Sequence, residues 1–314
     1  MSPTFLVAGA TGNTGRSVVK TLSELVKTKT DFSDYRILAT TRSANGIAAT
    51  QLAQLPSVDV VELSWVEITA DWLREYNVNR AFIASHNEPN QFAEESTFLL
   101  NARNAGLEYV VRISTTAANV RPDCPAYYPR SHWAVEAMLS SPEFERLQWT
   151  SLQPNIFTNF YFYSVFEWVK NFRETGTQGI LKLLPSEYAP VGVIDSDDVG
   201  VVAAHLLTAA EPSVHNKARY VLNGPEDITG RQVVELLEKH VGTKVENVVF
   251  KDMSVVEHMA AHSKESKNVI LSMKHALETS WDGKCSASTT SKEILHLAAP
   301  TRTPREAFEA MLQE

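Results

Sequence analysis

The chain has 314 residues, 44% of them hydrophobic and 21% charged, which suits one large soluble α/β domain or a domain with a smaller lobe. Its formal net charge of -8 and the lack of any Lys/Arg cluster argue against a nucleic-acid surface made by this chain alone. No apolar run reaches membrane-spanning length, Met-Ser-Pro-Thr is not a secretory leader, and Cys124 and Cys285 lie too far apart for a C-x-x-C site, so a cytoplasmic protein without metal is expected.

Phe5-Leu6-Val7-Ala8 reads as a buried first strand, followed by Gly9-Ala10-Thr11-Gly12-Asn13-Thr14-Gly15-Arg16 and a helix from about Asn13 to Val26. The first glycine allows a tight turn, the second lets backbone approach a pyrophosphate, and the third lets helix pack on strand. The helix N-terminus adds free N–H groups and a partial positive charge. Glycine is scarce here, 13 residues in all, so a chance G-x-x-G-x-x-G is expected about 0.02 times. Gly9, Thr11, Gly12, Asn13, Thr14 and Gly15 are therefore the expected cofactor loop.

The second strand, Arg36–Thr40, ends at Thr41-Arg42-Ser43. An acid at this tip would hold the ribose 2′-OH, whereas an arginine suits a 2′-phosphate. Arg42 stands there without a carboxylate, so NADP(H) is favoured over NAD(H). A helix over 46–54, a strand Val58–Leu63, a helix Thr69–Tyr76 and a fourth strand Arg80–Ala84 follow. Ser85, His86 and Asn87 end that strand, where they either border the cofactor or cap the helix over 94–105. The fifth strand is Tyr109–Ser114, continuing to Thr116. Strands alternating with helices predict right-handed βαβ units and a parallel sheet.

Pro129 marks a helix start within Tyr127–Glu136, which places Tyr128 and His132 on one face. A carbonyl-reducing site needs an acid near the carbonyl oxygen, a cation to lower its pKa, and an orienting hydroxyl. Tyr128, His132 and Ser114 (or Thr115) supply those residue types, and His132 is also placed to touch ribose or nicotinamide. The same pair equally suits simple packing.

These features resemble the NmrA-like group of atypical short-chain dehydrogenases/reductases. The resemblance rests on the glycine loop, on Arg42, on Ser131-His132-Trp133-Ala134-Val135-Glu136 and on Trp149-Thr150-Ser151-Leu152-Gln153-Pro154-Asn155-Ile156-Phe157-Thr158-Asn159. Ile194-Asp195-Ser196-Asp197-Asp198-Val199-Gly200 and Arg219-Tyr220-Val221-Leu222-Asn223-Gly224-Pro225 extend it over most of the chain. It implies NADPH-dependent reduction of quinones, enones or imines, including in fungal secondary metabolism, and also admits regulators that bind the cofactor and a protein partner without turnover. The group's wider Tyr-x-x-x-Lys pattern is altered, with His132 where the lysine would stand. In relatives the Asn155 segment borders the nicotinamide.

The second part is rich in aromatics from Phe157 to Trp168, too many for one helical face. Phe157, Asn159, Phe160 and Tyr163 are the expected lining of a site for a small hydrophobic or aromatic substrate. Asp195, Asp197 and Asp198 read as helix caps rather than metal ligands. Short strands at 182–185 and 189–194, a strand Arg219–Leu222, a helix Gly230–Val241, a strand Lys244–Phe250 and helices at 255–262 and from 303 complete the small lobe. The expected architecture is a Rossmann-type doubly wound parallel sheet over residues 1–153, with a smaller C-terminal α/β substrate lobe over 154–314 whose segment near 190–210 returns to the first domain. No membrane or nucleic-acid partner is expected, and a homodimer is compatible with the reading.

Overall fold

The computed structural model describes residues 2–313. The large sheet has seven parallel strands: β1 Thr4–Ala8, β2 Arg36–Thr41, β3 Val58–Glu62, β4 Val78–Ile83, β5 Tyr109–Ile113, β6 Gln148–Pro154 and, after a two-residue strand β7 Leu181–Lys182, β8 Ala218–Leu222. Their order is β3-β2-β1-β4-β5-β6-β8, so the order reverses between β1 and β4. That reversal opens a crevice at the carboxyl edge, where ligands of such sheets bind. All five residues of β1 are buried, as a central strand covered on both faces requires.

Helix α1 (Asn13–Thr28), the short α2 (Ile47–Leu52) and α3 (Ala70–Glu75), α4 (Gln91–Ala105) and α5 (Tyr127–Leu139) supply the crossovers. The apolar stripe of α1, Val18, Val19, Leu22 and Val26, packs into one face of the sheet. On the other face Phe98, Leu99 and Ala102 of α4 join Val135 and Leu139 of α5 around the buried Trp149. Helix α6 (Thr158–Thr175) then leaves the sheet, and α7 (Ser196–Leu207) returns to pack along α1.

The contact of α7 with α1 depends on Gly200, because a Cβ there would fall 2.5 Å from the Ser17 Cβ. Ser17 Oγ also donates to the Asp197 carbonyl at 2.8 Å. Asp195 caps α7 by accepting from the Asp197 N–H at 2.8 Å, and Arg302 pairs with its other oxygen at 3.2 Å.

The small lobe holds α8 (Gly230–Val241), a second short strand β9 (Val248–Val249) paired with β7, and α9 (Ser254–His262), α10 (Lys267–Leu271) and α11 (Glu278–Trp281). Its core joins Tyr161, Phe162 and Val165 of α6 to Val233 and Leu237 of α8 and to Phe308 of the last helix. Before that helix, α13 (Pro304–Met311), a short α12 (Lys292–Ala298) turns back to α7.

Several elements differ from expectation. The strand at 219–222, expected in the small lobe, is the edge strand β8 of the large sheet, with Leu152 paired to Tyr220. The strands expected at 182–185 and 189–194 shrink to β7 and to single bridges at Val191 and Ile194, and the one at 244–250 shrinks to two residues. Leu183, Leu184, Val191, Val193 and Ile194 are buried by lobe packing rather than by long ladders, and no apolar residue of 244–250 is fully buried. The apolar run alone does not distinguish the two.

Candidate functional site

The carboxyl ends of β1 to β4 open onto a cleft of about 620 Å³ lined by the glycine loop, Thr41, Arg42, Ser64, Trp65, Ser85 and His86 among others. Gly9 has φ +80°, a conformation that favours glycine. At Gly15 a Cβ would stand 2.2 Å from the Gly9 carbonyl oxygen and 2.9 Å from the Ala10 Cα, so the strand–helix corner closes only without a side chain. Gly12 heads α1 with no side-chain cap and no acid in the first turn. The helix's positive end therefore faces the cleft with no negative side chain against it. Thr11 and Thr41 join hydroxyl to hydroxyl at 2.9 Å and tie the loop to the tip of β2.

Arg42 is exposed on the cleft wall. The loop after it is held by Glu62, which accepts from the Ala44 N–H at 2.8 Å. Across the cleft His86 lies 2.5 Å from a Glu94 oxygen, with its ring centroid 5.7 Å from that of Trp65. Leu63, Ser64, Trp65 and Val66 line the same wall. They went unnamed from the sequence, although they follow β3 at the carboxyl edge and the same rule that flagged Ser85 applies to them.

The three expected catalytic residues are not assembled as a charged trio. The Ser114 Oγ is buried without a hydrogen-bond partner among the described residues. Tyr128 has its hydroxyl enclosed beside Thr115, and burial is the main cause that pushes the phenol up to about 12. His132 is buried and receives a hydrogen bond from Arg112 Nη2 at its Nδ1, 2.8 Å away. Because a guanidinium can only donate, Nδ1 must be the bare nitrogen. The proton then sits on Nε2 and is donated to Asn87 Oδ1 at 3.1 Å. Burial first, and then the Arg112 charge, push His132 down to about 3, against the opposing pull of Glu95. The Gln91 Nε2 lies 3.1 Å from the same Nδ1, and the expected cation at this position is thus a neutral, hydrogen-bonded imidazole.

Arg112 itself lies fully buried in β5. It donates through Nε to Glu95 at 2.6 Å and through Nη1 to Ser151 at 2.9 Å, with Glu136 at 3.6 Å. Glu95 also accepts from Ser85 at 2.8 Å, which links this buried network to the cleft wall. Burial drives the Glu95 carboxyl upward, but Arg112, His132 and Ser85 outweigh it and hold the group below the usual range.

Asn155, expected beside the nicotinamide, is not among the residues that line this cleft. Its Nδ2 is shared among the Gly192 and Cys285 carbonyls and Asn223, and its Oδ1 accepts from the Ile156 N–H. It ties β6 to the small lobe. Phe157 packs against the large core and pairs with Ile194. Asn159, Phe160 and Tyr163 point outward, with Phe160 47% and Tyr163 55% exposed, and line no part of the cleft. The notion of α6 as substrate lining failed at these positions because the helix buries its opposite stripe, Tyr161, Phe162, Val165 and Val169, in the small lobe.

A model of the NmrA-like family matches residues 1–293. The chain belongs to the NmrA-like family. The chain is 26% identical over 238 residues to a (4-alkanoyl-5-oxo-2,5-dihydrofuran-3-yl)methyl phosphate reductase of Streptomyces griseus, covering 76% of this chain and 74% of that protein. It is likewise 26% identical over 245 residues to an NAD(P)H azoreductase of Xenophilus azovorans, covering 78% and 76%. Its fold matches the NADPH complex of an Escherichia coli NADPH-dependent quinone oxidoreductase with a TM-score of 0.73 at 18% identity, over 98% of this chain and 99% of that one.

Proposed function

We propose that this NmrA-like chain is an NADPH-dependent oxidoreductase that reduces a small, hydrophobic, conjugated substrate such as a quinone or enone. The observation that carries the reading is the cleft itself. Its glycine corner has no space for a side chain, its helix end is uncapped, and an arginine stands at the tip of β2. Gly9, Gly12 and Gly15 with the first turn of α1 would hold the pyrophosphate, and Arg42 the 2′-phosphate. The reductase relatives point the same way.

When bound, NADPH supplies the two-electron reducing equivalent. The chain's own part is to orient the acceptor and provide a proton donor. Tyr128, kept protonated by burial and lacking a neighbouring cation, acts as a neutral hydrogen-bond donor, and so does the free Ser114 hydroxyl. An electrophilic quinone or enone needs no more acid assistance than that. The regulator reading predicts tight NADP⁺ binding without turnover.

Two measurements decide. In fluorescence titrations Arg42→Ala should weaken NADPH about 10- to 100-fold, the range of a lost charged hydrogen bond, and leave NADH within about threefold; equal losses would remove Arg42 from the 2′-phosphate. Tyr128→Phe should lower kcat with a quinone about tenfold or more at unchanged NADPH affinity. Unaltered kcat would show that Tyr128 takes no part. Because His132 is neutral throughout, no rate limb near its ordinary value should appear in the wild-type pH profile.

A further inference from the structure

Tyr161 is 1% exposed in the small-lobe core, edge-on to Phe162, and its hydroxyl has no hydrogen-bond partner among the described residues. An unpaired buried hydroxyl costs about 1–3 kcal/mol, which phenylalanine in the same space would not incur. One turn on, the Ser164 Oγ is also without a partner among the described residues. Stability alone would not select these hydroxyls.

Tyr161 lines a narrow seam with Ile156, Leu184, Pro185, Leu277 and Ser280, which leaves no room for a water molecule. Ile156 lies just past β6, at the carboxyl edge of the large sheet where the cleft also opens. Leu277 and Ser280 belong to a strap of residues 272–281, a 3-10 turn running into the four-residue α11. Several side-chain bonds fasten it, among them that of Lys274 Nζ to Glu257 at 2.7 Å. Ser272 Oγ accepts from the Tyr127 N–H at 3.1 Å, and Asn119 donates to the Ala276 carbonyl at 2.8 Å. Thr279 donates to Asn119 at 3.1 Å, and the Trp281 indole to the Leu184 carbonyl at 3.0 Å. Helical pieces this short have little stability of their own and are held by their packing, with Ala276, Leu277, Thr279 and Ser280 buried.

We infer that this seam is the acceptor site in its closed form, and that Tyr161 donates a hydrogen bond to a carbonyl oxygen of a flat conjugated acceptor once the strap lifts. The inference rests on the reductase reading and assigns Tyr161 a binding role, with no bond made or broken at its oxygen. Burial raises the phenol's pKa, so it stays a neutral donor throughout the working range.

The test uses the full chain loaded with NADP⁺, which cannot reduce the probe, and measures menadione binding by equilibrium dialysis. Tyr161→Phe should weaken menadione about tenfold, the value of one hydrogen bond. NADP⁺ affinity should be unchanged and the melting temperature equal or higher. Menadione should also speed amide exchange across residues 272–281 in the wild type. Equal menadione affinity in the two proteins, or no binding to the wild type, overturns the inference. So does a clear drop in melting temperature for Tyr161→Phe, since it would reveal an internal partner for the hydroxyl. Wild-type turnover of quinones with Tyr161-independent affinity sinks this inference alone. Tyr161-dependent binding without any turnover supports it and sinks the reductase reading instead.

Discussion

Arg112→Met should destabilise the protein by about 3–5 kcal/mol, the usual cost of removing one partner from a buried ion pair. Glu95 is fully buried and would lose its 2.6 Å bond to Nε, keeping only the neutral donors Ser85 and Gln91. His132 would lose its charged donor at Nδ1, keeping only Gln91 Nε2 at 3.1 Å, and Ser151 its 2.9 Å guanidinium contact. Glu136 suffers least, because Arg219 still pairs with it at 2.9 Å. Urea unfolding at neutral pH measures the loss. The double substitution Arg112→Met with Glu95→Gln should recover at least half of it, because the orphaned charge is then gone. A single variant within about 1 kcal/mol of wild type would mean that Arg112 is not the counter-charge of this network.

That network also marks the limit of what the sequence discloses. The strand–helix corner is legible because two of its glycines have a local duty: a positive φ at Gly9, and at Gly15 a contact too close for any Cβ. Arg42 is legible because its place after β2 is fixed by the strand pattern. Tyr128 and His132 share a helical face, yet spacing could not reveal that Arg112, twenty residues away on a strand, donates to His132 and makes it neutral. The available signal was an arginine inside the apolar run Tyr109–Ile113, which implies a buried acid somewhere, but the acid sits on α4. The partners of Asn155 were hidden for a similar reason: Gly192, Asn223 and Cys285 come from distant turns. Edge strand β8 was assigned to the wrong body because strand membership depends on α7 first returning to α1.

His132 should make the fold sensitive to mild acid. In the folded chain its pKa falls to about 3, whereas the unfolded chain binds the proton near 6.5. The unfolded state therefore holds more protons below about pH 6.5, and stability declines as pH falls from there toward 3. Between about pH 8 and pH 5 the expected loss from this residue is about 2 kcal/mol. Glu95 is also held below its ordinary value of 4.5, so its contribution too is present at neutral pH and is lost as pH falls below about that value, in the lower part of the histidine window. His205 and His215, lowered chiefly by partial burial, add slopes of the same sign. His132→Gln separates them: its amide can accept from Arg112 and donate to Asn87, as the imidazole does, but does not titrate. Urea unfolding of both proteins at about pH 8 and pH 5 should show the wild type losing about 2 kcal/mol more than the variant, with the other histidines cancelling in the comparison. Parallel losses would mean that His132 takes up a proton in the folded state, which would restore the cation that a short-chain reductase normally places beside its tyrosine.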